Sequence, residues 1–585
     1  MKLIRFTLII ILVFIFFILI FEVVLCAQRG RPPLEPERHL FKSQFEEIYK
    51  RFFRKVRLSN GTIVYETQRK LAAGHSFPVH KIRGTKRIFV LGGSVAYSFS
   101  HQINRRYLEE LLESSITGEK FEIIGCGMAA YDSYRVSLIH KEILNYEPDF
   151  IILLSGNNEY YSPVRVNLWV YRFNRLLRNL WIYRDLQDNL LTWGRGHSMF
   201  VGISRDKRLA NYENNLRSMI HRAKKKKIPM VLCTLPANIR DCPPRSGFPI
   251  WEDKQFFLAW NALNKNEFKE ARKRFEQFIL THPEEPFGYY FLAKSYDALR
   301  NYPQAQEYYF KSLDLDANPG DRCPTYRNEF IRHLCSQKDI MLVDLENFFI
   351  RMAPHGLPGN ELFIDNCHWR EELCPLIDEE IAQAIIGYYK FHLRSSLAST
   401  SLHKWRDSFA SKRQDFLAEI RKHFENNKVR ELLRRLGLIY ERIILHKEVD
   451  FIDERTIAFL KESCQRFPEL FDDRFSLKQS IFVEFSKSPF LPRKEILSEF
   501  DEIWLVILYH IGESLRRLGE YHKAIEYFNE VINLSAADAC FSYLGRALIY
   551  YEIGEVDKAK RDFEEIIKKG CQHPLIKFYR ESLRI

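Results

Sequence analysis

Three polar motifs of the chain carry side chains that together could perform acyl-transfer chemistry. Ser94 follows two glycines directly after an apolar run, where a tight turn would expose a nucleophilic hydroxyl. Asp365 lies three residues before His368, and a carboxylate at that spacing can orient an imidazole and stabilise its protonated form. Asn158, in a Ser-Gly-Asn-Asn-Glu segment, offers a side-chain N–H that could donate to a developing oxyanion.

Each motif taken alone also has a plainer interpretation. Serine commonly caps helices, so Ser94 could simply begin one. Asn158 could be an ordinary loop residue, and the segment Gly125–Gly127 could be a turn. The Asp365–His368 spacing would also suit a metal pair, although no further His/Asp cluster lies nearby in the sequence. The combination of motifs in one chain is therefore more informative than any one of them.

The motifs follow apolar runs that have the continuous, β-branched character of buried parallel strands. Helix-period segments separate these runs, and the alternation predicts an α/β fold with a parallel sheet covered by helices on both faces. Functional loops of such a sheet lie at the carboxyl ends of its strands. The five predicted strands are Arg87–Leu91, Phe121–Gly125, Phe150–Leu154, Pro229–Leu235 and Ile340–Leu345.

Four motifs follow one another along the chain, with Ser94, Gly127, Asn158 and the Asp365–His368 pair. In this order they resemble the sequence blocks of the SGNH/GDSL hydrolase superfamily. The resemblance spans about residues 86–393 and implies a three-layer α/β/α, flavodoxin-like domain over residues 81–395. Two departures are visible: the acidic residue of the GDS triplet is Gly93 here, and Gly125 replaces an asparagine often found two positions before the second-block glycine. The segments 156–161 (GNNEYY) and 234–241 (TLPANIRD) resemble a repeat-bearing branch of the same superfamily.

The resemblance also implies a role for each site residue. Ser94 would be the nucleophile, His368 the general base and then acid, and Asp365 the group that orients His368. The oxyanion hole would combine the backbone N–H groups of Ser94 and Gly127 with the side chain of Asn158. This mechanism requires no cofactor and no metal.

Two sections of the chain carry internal helical repeats. The first covers residues 255–319, inside the hydrolase-like region, and the second lies within a helical C-terminal region, residues 402–585. Small and aromatic residues recurring at this period are typical of tetratricopeptide repeats, which suggests a protein partner. In the first section Ala259, Phe268, Ala271 and Phe275 recur 34 residues later as Ala293, Tyr302, Ala305 and Tyr309. In the second, Gly519, Tyr521, Ala524 and Phe528 recur 35 residues later as Gly554, Val556, Ala559 and Phe563.

The N-terminal segment predicts a membrane anchor. Residues 6–26 form an apolar run of the length of a bilayer-spanning helix, so residues 1–27 are interpreted as an uncleaved anchor. A cleaved or lipidated signal is the alternative. Residues 28–80 are interpreted as a linker and a helical lead-in, with a helix around 41–54. By analogy with signal anchors, we expect the catalytic region outside the cytoplasm, on the periplasmic or envelope side.

The charge and the cysteine content of the chain argue against a nucleic-acid partner and against a disulfide scaffold. The formal charge of +13 is spread along the chain, and no nucleic-acid-binding motif is present in the sequence. Eleven cysteines are too few for a disulfide scaffold, although Cys242 with Cys323, or Cys367 with Cys374, could pair in an oxidising compartment. The aromatic, basic stretch 160–193 could be a lid, a membrane-surface element or a packed helical hairpin.

Three hypotheses for the function follow. The first is an esterase acting on an acylated envelope glycan or lipid. The second is an O-acyltransferase that uses the same residues and delivers the acyl group to a sugar hydroxyl. The third is a binding scaffold whose repeats recruit a protein and whose catalytic region is inactive.

Overall fold

The computed structural model of the 585-residue chain describes a defined set of segments. They are residues 22–28, 51–69, 75–100, 102–161, 205–244, 253–316, 322–336, 340–392, 454–485, 493–534, 539–571, 576 and 579–580. Most of the predicted anchor, the aromatic stretch 162–193 and residues 402–453 lie outside them. Within them, no helix is both long and apolar enough to cross a membrane. The membrane anchor therefore stays a prediction.

A five-stranded parallel sheet forms the centre of the hydrolase-like region, as the sequence predicts. The strands are β4 (Thr85–Gly92), β5 (Lys120–Gly127), β6 (Phe150–Leu154), β7 (Met230–Cys233) and β8 (Ile340–Val343). Their spatial order is β5-β4-β6-β7-β8, so the chain starts inside the sheet, crosses to one edge and then proceeds to the other. This is the flavodoxin-like strand order, in which the direction of winding reverses at the pair β4 and β6.

Helices cover both faces of this sheet because its strands are apolar on both sides. In β4, Ile88 and Val90 belong to the hydrophobic cluster on one face. Phe89 and Leu91 alternate with them and belong to the cluster on the other face. The first face carries α1 (Gln102–Ser115), α9 (Leu345–Met352) and α10 (Cys374–His392). The second carries α2 (Ser133–Ile143), α3 (Arg205–Lys225) and α8 (Thr325–Cys335).

A small antiparallel sheet precedes the parallel one, where the sequence was interpreted as linker and helical lead-in. That interpretation is wrong for residues 53–78, which form β1 (Phe53–Arg57), β2 (Ile63–Thr67) and β3 (Ser76–Pro78). The physical reason is the Asn60-Gly61 turn, in which Gly61 adopts a φ of 83°. A glycine in this left-handed region favours a tight reversal between two strands.

The inserted section consists of two helical hairpins between β7 and β8, in agreement with the repeat predicted at 255–319. Ala259, Ala271, Ala293 and Ala305 are all fully buried, which lets the paired helices approach closely. Asn266 and Arg300, 34 residues apart, both adopt a φ of 61° in the equivalent hairpin turns. The helices of this inserted repeat pair are α4 (Lys254–Asn264), α5 (Phe268–Thr281), α6 (Pro286–Ala298) and α7 (Tyr302–Leu315).

The C-terminal section is also built from paired helices. Gly519 and Gly554 end the first helix of successive pairs with φ of 81° and 83°. A disulfide joins Cys540 and Cys571, whereas the two pairs suggested by the sequence consist of free thiols. The described helices are α11 (Glu454–Arg466), α12 (Arg474–Phe485), α13 (Arg493–Arg517), α14 (Tyr521–Leu534), α15 (Cys540–Glu552) and α16 (Val556–Lys568).

The two repeat sections, far apart in the sequence, share one hydrophobic core. A single cluster of buried side chains runs from α4–α7 into α11–α16. At the junction the rings of Phe257 and Tyr579 meet edge to face, with centroids 5.5 Å apart. The Arg517 guanidinium lies 5.1 Å from the centroid of the Trp260 ring. The inserted repeat pair and the C-terminal repeats therefore form one continuous stack.

Phe257→Ala tests this junction. The ring is 2% exposed, so its removal leaves a cavity between the two sections and is expected to lower the free energy of unfolding of the repeat stack by about 3–5 kcal/mol. Leu280→Ala, at a side chain of the same repeat pair that is 80% exposed, is the matched control and is expected to change little. Thermal unfolding followed by circular dichroism provides the measurement. Equal effects of the two substitutions would contradict the shared core.

Candidate active site

The turn after β4 places Ser94 at the carboxyl end of the sheet. Gly92 lies opposite Gly127 of β5 and Leu154 of β6, and a Cβ atom at Gly92 would come within 2.1 Å of the Leu154 carbonyl oxygen. A Cβ atom at Gly93 would come within 2.3 Å of Asn158 Nδ2. Position 92 therefore requires glycine, and a side chain at position 93 would displace the Asn158 amide. Ser94 then begins a short 3₁₀ helix, Ser94–Ser100, and is half-buried.

Both remaining oxyanion candidates pack against this turn. A Cβ atom at Gly127 would lie 2.4 Å from the backbone nitrogen of Tyr97, so the end of β5 touches the 3₁₀ helix that Ser94 begins. The Asn158 side chain contacts Gly93 and donates from Nδ2 to the Tyr131 carbonyl oxygen at 3.1 Å. An amide nitrogen carries two hydrogens, so this bond fixes the side chain and leaves a second N–H for a ligand.

Asp365 and His368 form a hydrogen-bonded pair in a tight loop. The Asp365 Oδ2 atom lies 2.7 Å from His368 Nδ1. Its other oxygen, Oδ1, accepts from the backbone N–H groups of Cys367 and His368, at 2.9 and 2.8 Å. The carboxylate thus fixes both the loop and the ring, which directs Nε2 away from Asp365. Both side chains are about a quarter exposed, so they are open to a substrate.

The same three residues, Asp365, Cys367 and His368, could each offer one ligand atom to a metal ion. Both oxygens of Asp365, however, already accept hydrogen bonds from the loop, and His368 Nδ1 is held by one of them. This donor and acceptor pattern fits an oriented imidazole better than a ligand set. The acid–base interpretation is therefore preferred.

Each half of the candidate site follows a strand of the parallel sheet. The strands β4 and β6, which precede Ser94 and Asn158, meet where the winding reverses, and ligands of open α/β sheets bind at this position. Gly127 is the last residue of the neighbouring strand β5. The loop with Asp365 and His368 is bound by Asn238, in the segment that follows β7.

Asn238 is a residue of this site that the motif analysis did not single out. It is 1% exposed and lies in the 234–241 segment after β7. Its Nδ2 donates to the Asp365 carbonyl oxygen at 3.0 Å and to Asn360 Oδ1 at 2.9 Å. Its backbone N–H donates to the Asn366 carbonyl oxygen at 3.0 Å. Asn238 therefore holds the Asp365–His368 loop against β7, and only its place in a family-like segment could have signalled this.

Glu159, directly after Asn158, is a buried acid that binds the loop between β5 and α2. Its carboxylate accepts from the backbone N–H and the hydroxyl of Ser133, at 2.8 and 2.7 Å. Burial, followed by the nearby Asp132 carboxylate, raises the pKa of Glu159 to about 7. Asn158 thus binds one loop at Tyr131, and Glu159 binds the same loop at Ser133. Together they fix the position of the Asn158 side chain.

Two asparagine side chains beside the candidate residues are buried without a hydrogen-bond partner among the described residues. Asn157 is 3% exposed and Asn366 is 4% exposed, and neither amide group has a partner for its nitrogen or its oxygen. A buried polar group left unpaired costs about 1–3 kcal/mol, and functional sites are where such costs are tolerated. Both residues flank groups assigned to the chemistry, Asn158 on one side and Asp365 and His368 on the other.

Glu159→Gln tests the effect of this acid on stability. Its folded-state pKa lies above the unfolded value of about 4.5, so its contribution to stability is full below that pH and is lost as the pH rises through about 7. Glutamine does not ionise, so the variant is expected to lose less stability over this range than the parent. Thermal unfolding at a series of pH values measures the difference. Glu110→Gln, at an exposed helical position, is the control. Parallel pH profiles for the parent and Glu159→Gln would rule the effect out.

Comparison with known sequences confirms the two repeat sections. Tetratricopeptide-repeat models match residues 258–322, 505–538 and 541–569. A TPR repeat-containing protein of Methanocaldococcus jannaschii is 30% identical over 95 residues, a stretch that spans only 16% of this chain and 16% of the relative. These matches concern the repeats alone.

Comparison with solved structures gives neighbours for about half of the chain. They are an acylhydrolase from Bacteroides fragilis (12% identity, TM-score 0.26), a GDSL-like lipase from Bacteroides thetaiotaomicron (13%, 0.23) and a lipase/acylhydrolase from Enterococcus faecalis (12%, 0.23). Each covers 52% of this chain, and the alignments span 88%, 88% and 96% of those three chains. TM-scores at this level carry no argument about activity, so the chemistry of the site is argued from its own residues.

Proposed function

We propose that the chain is a membrane-anchored serine hydrolase of the SGNH/GDSL type that cleaves an ester and removes an acyl group. The observation that carries this proposal is the oriented Asp365–His368 pair, with 2.7 Å between Oδ2 and Nδ1, together with Ser94 on the turn that follows β4. Asn158 packed on the Ser94 turn supplies the matching oxyanion donor. An Asp–His pair, a serine on a tight glycine turn and an amide donor are the parts of a serine acyl-transfer site.

The mechanism follows from these positions. His368 Nε2 takes the proton of Ser94 as its Oγ attacks the ester carbonyl carbon, and Asp365 stabilises the imidazolium that forms. Asn158 Nδ2, with the N–H groups of Ser94 and Gly127, stabilises the oxyanion of the tetrahedral intermediate. The intermediate collapses as His368 returns the proton to the leaving alcohol. His368 then activates a water molecule, which releases the acyl group and regenerates Ser94.

The proposed substrate class is an acylated glycan or lipid of the envelope, which is the class that the predicted anchor at residues 1–27 would bring within reach.

The same residues would also serve an O-acyltransferase, which is the second candidate function. If a sugar hydroxyl occupies the place of the deacylating water, the acyl group passes to that hydroxyl and an ester is formed instead of a free acid. Incubation with an acetylated donor and a free glycan acceptor, followed by mass spectrometry of the acceptor, separates the two reactions. Only a transferase would add acetyl mass to the acceptor.

The placement of the protein in the cell is part of the proposal. A membrane anchor at residues 1–27 would hold the catalytic region at the envelope side, where acylated glycans and lipids are found. The repeats, which match tetratricopeptide models, would bind a protein partner there. Protection of the chain from added protease in cells with a permeabilised outer membrane would overturn this placement.

Ser94→Ala is the primary test of the proposed activity. A fluorophosphonate probe is expected to label the parent chain covalently at Ser94 and to leave Ser94→Ala unlabelled, because only a serine activated by a base attacks the probe rapidly. Ser336→Ala removes an exposed hydroxyl elsewhere and is expected to keep full labelling. Gel fluorescence and peptide mass spectrometry provide the measurement. A folded parent that takes up no label would exclude the hydrolase and favour the scaffold hypothesis.

Asn158→Ala and Gly93→Ala test the oxyanion donor. Loss of one such donor lowers kcat by about 10²–10³-fold. Gly93→Ala is expected to act through the same group, because its Cβ would occupy the place of Asn158 Nδ2. Gly387→Ala, at a helical glycine with open space around it, is the control and is expected to keep parent activity. Hydrolysis of an aryl acetate measures kcat. Parent-like kcat in Asn158→Ala would remove this residue from the oxyanion hole.

A further inference from the structure

The segment after β7 connects the Asp365–His368 loop to the inserted repeat pair. On one side of this segment Asn238 holds the loop, as described above. Two residues further on, Arg240 and Asp241 leave the sheet edge and meet α6. Residues 238–241 therefore contact both the Asp365–His368 loop and the inserted repeat pair.

Arg240 makes the first connection to the repeats. Its Nε and Nη2 atoms donate to the two carboxylate oxygens of Asp297 on α6, at 2.8 and 2.9 Å, which is a bidentate pair. Asp297 is nearly buried, with 9% of its side chain exposed. The Tyr290 hydroxyl, also on α6, donates to the Arg240 carbonyl oxygen at 3.0 Å. Backbone and side chain of Arg240 are thus both fixed by one helix of the repeat pair.

Asp241 makes the second connection and reaches the loop directly. Its Oδ1 accepts from Lys294 Nζ of α6 at 3.2 Å, and its Oδ2 accepts from the Asn360 backbone N–H at 3.0 Å. Its own backbone N–H donates to Asn238 Oδ1 at 3.0 Å. Asn360 in turn accepts the Arg370 guanidinium with its carbonyl oxygen. One carboxylate therefore joins α6 to the base of the loop that carries His368.

A third connection comes from α7. Gln306 Nε2 donates to the Gly356 carbonyl oxygen at 2.6 Å. The ring of Tyr302 stacks on His355, with centroids 3.8 Å apart and planes 4° from parallel. His355 and Gly356 precede the loop in the chain, so both helices of the second hairpin hold the path that leads into it.

We propose that the inserted repeat pair positions His368, and that Lys294 and Asp297 of α6 are its positioning residues. They lie three apart on one face of the helix, and each is paired with a neighbouring residue of the 240–241 link. Neither residue touches the reacting groups. Their effect passes through Arg240, Asp241 and Asn238 to the loop in which Asp365 holds the imidazole. The catalytic part of this inference rests on the proposed function.

Asp297→Ala and Lys294→Met in the full chain test the inference by two readouts. With an aryl acetate as substrate, kcat is expected to fall at least about tenfold while KM stays within about twofold, since misplacement of a catalytic base affects the chemical step more than substrate binding. Asp297→Glu keeps the charge and is expected to recover most of the loss. Lys311→Met, at an exposed position of α7, is the matched control and is expected to behave as the parent.

Hydrogen–deuterium exchange gives a readout that does not depend on activity. The backbone N–H of Ile364 donates to the His368 carbonyl oxygen, and the N–H of His368 donates to Asp365. Both are expected to exchange faster in Asp297→Ala and Lys294→Met than in the parent and in Lys311→Met.

The outcomes separate the two proposals. Unchanged exchange in the 360–370 peptide of both variants would overturn the positioning role. A fall in kcat matched by a rise in KM would overturn it as well, because the repeats would then act in substrate binding. Faster exchange in a chain whose parent form hydrolyses no ester would support the positioning of the loop while the proposed activity fails.

Discussion

The close approach of β4 and β6 is the constraint on which the candidate site depends. These two strands are neighbours at the point where the sheet reverses its winding, so the loops that follow them diverge and leave a crevice between them. The chain must turn after β4 under the Leu154 carbonyl and beside the Asn158 amide, so a side chain at Gly92 would meet the backbone and one at Gly93 would displace Asn158 Nδ2. The absence of two Cβ atoms therefore lets the Ser94 turn and the Asn158 amide lie side by side. The usual acidic residue of the family triplet could not occupy position 93 in this arrangement without displacing Asn158.

The other half of the site depends on satisfied polar groups. Asp365 accepts hydrogen bonds with both of its oxygens, and the buried Asn238 binds the loop from the side of β7. In a low-dielectric environment such a network is rigid when it is complete and costly when a member is missing. The orientation of the His368 imidazole thus depends on hydrogen bonds between residue 238 and residues 360–366, which are far apart in the sequence. Cys367 also anchors this loop by hydrophobic packing, because it belongs to the same buried cluster as Val95.

Much of this arrangement could be predicted from the sequence. Continuous apolar runs predicted all five parallel strands within a few residues, and the ordered motifs placed Ser94 and Asn158 directly after two of them and His368 shortly before the last helix of the region. The 34-residue period predicted the inserted hairpins, because each hairpin repeats the same small and aromatic contacts. The β1–β2 hairpin was missed, since its strands carry exposed charged pairs such as Arg54 with Glu66 in place of a clear apolar alternation. The Cys540–Cys571 bond was also missed, because spacing alone does not define a pairing.

What the sequence could not reveal is that the repeats and the hydrolase-like region are built into one another. The contact of Phe257 with Tyr579 joins residues more than half the chain apart, and the link from α6 to the His368 loop uses single charged residues with no local pattern. Repeats of this kind bury their hydrophobic faces only against neighbours. The inserted pair has the C-terminal repeats as a neighbour at α4, while α6 and α7 contact the hydrolase-like region through polar groups. The inserted pair is therefore the structural connection between the helical stack and the loop in which Asp365 orients His368.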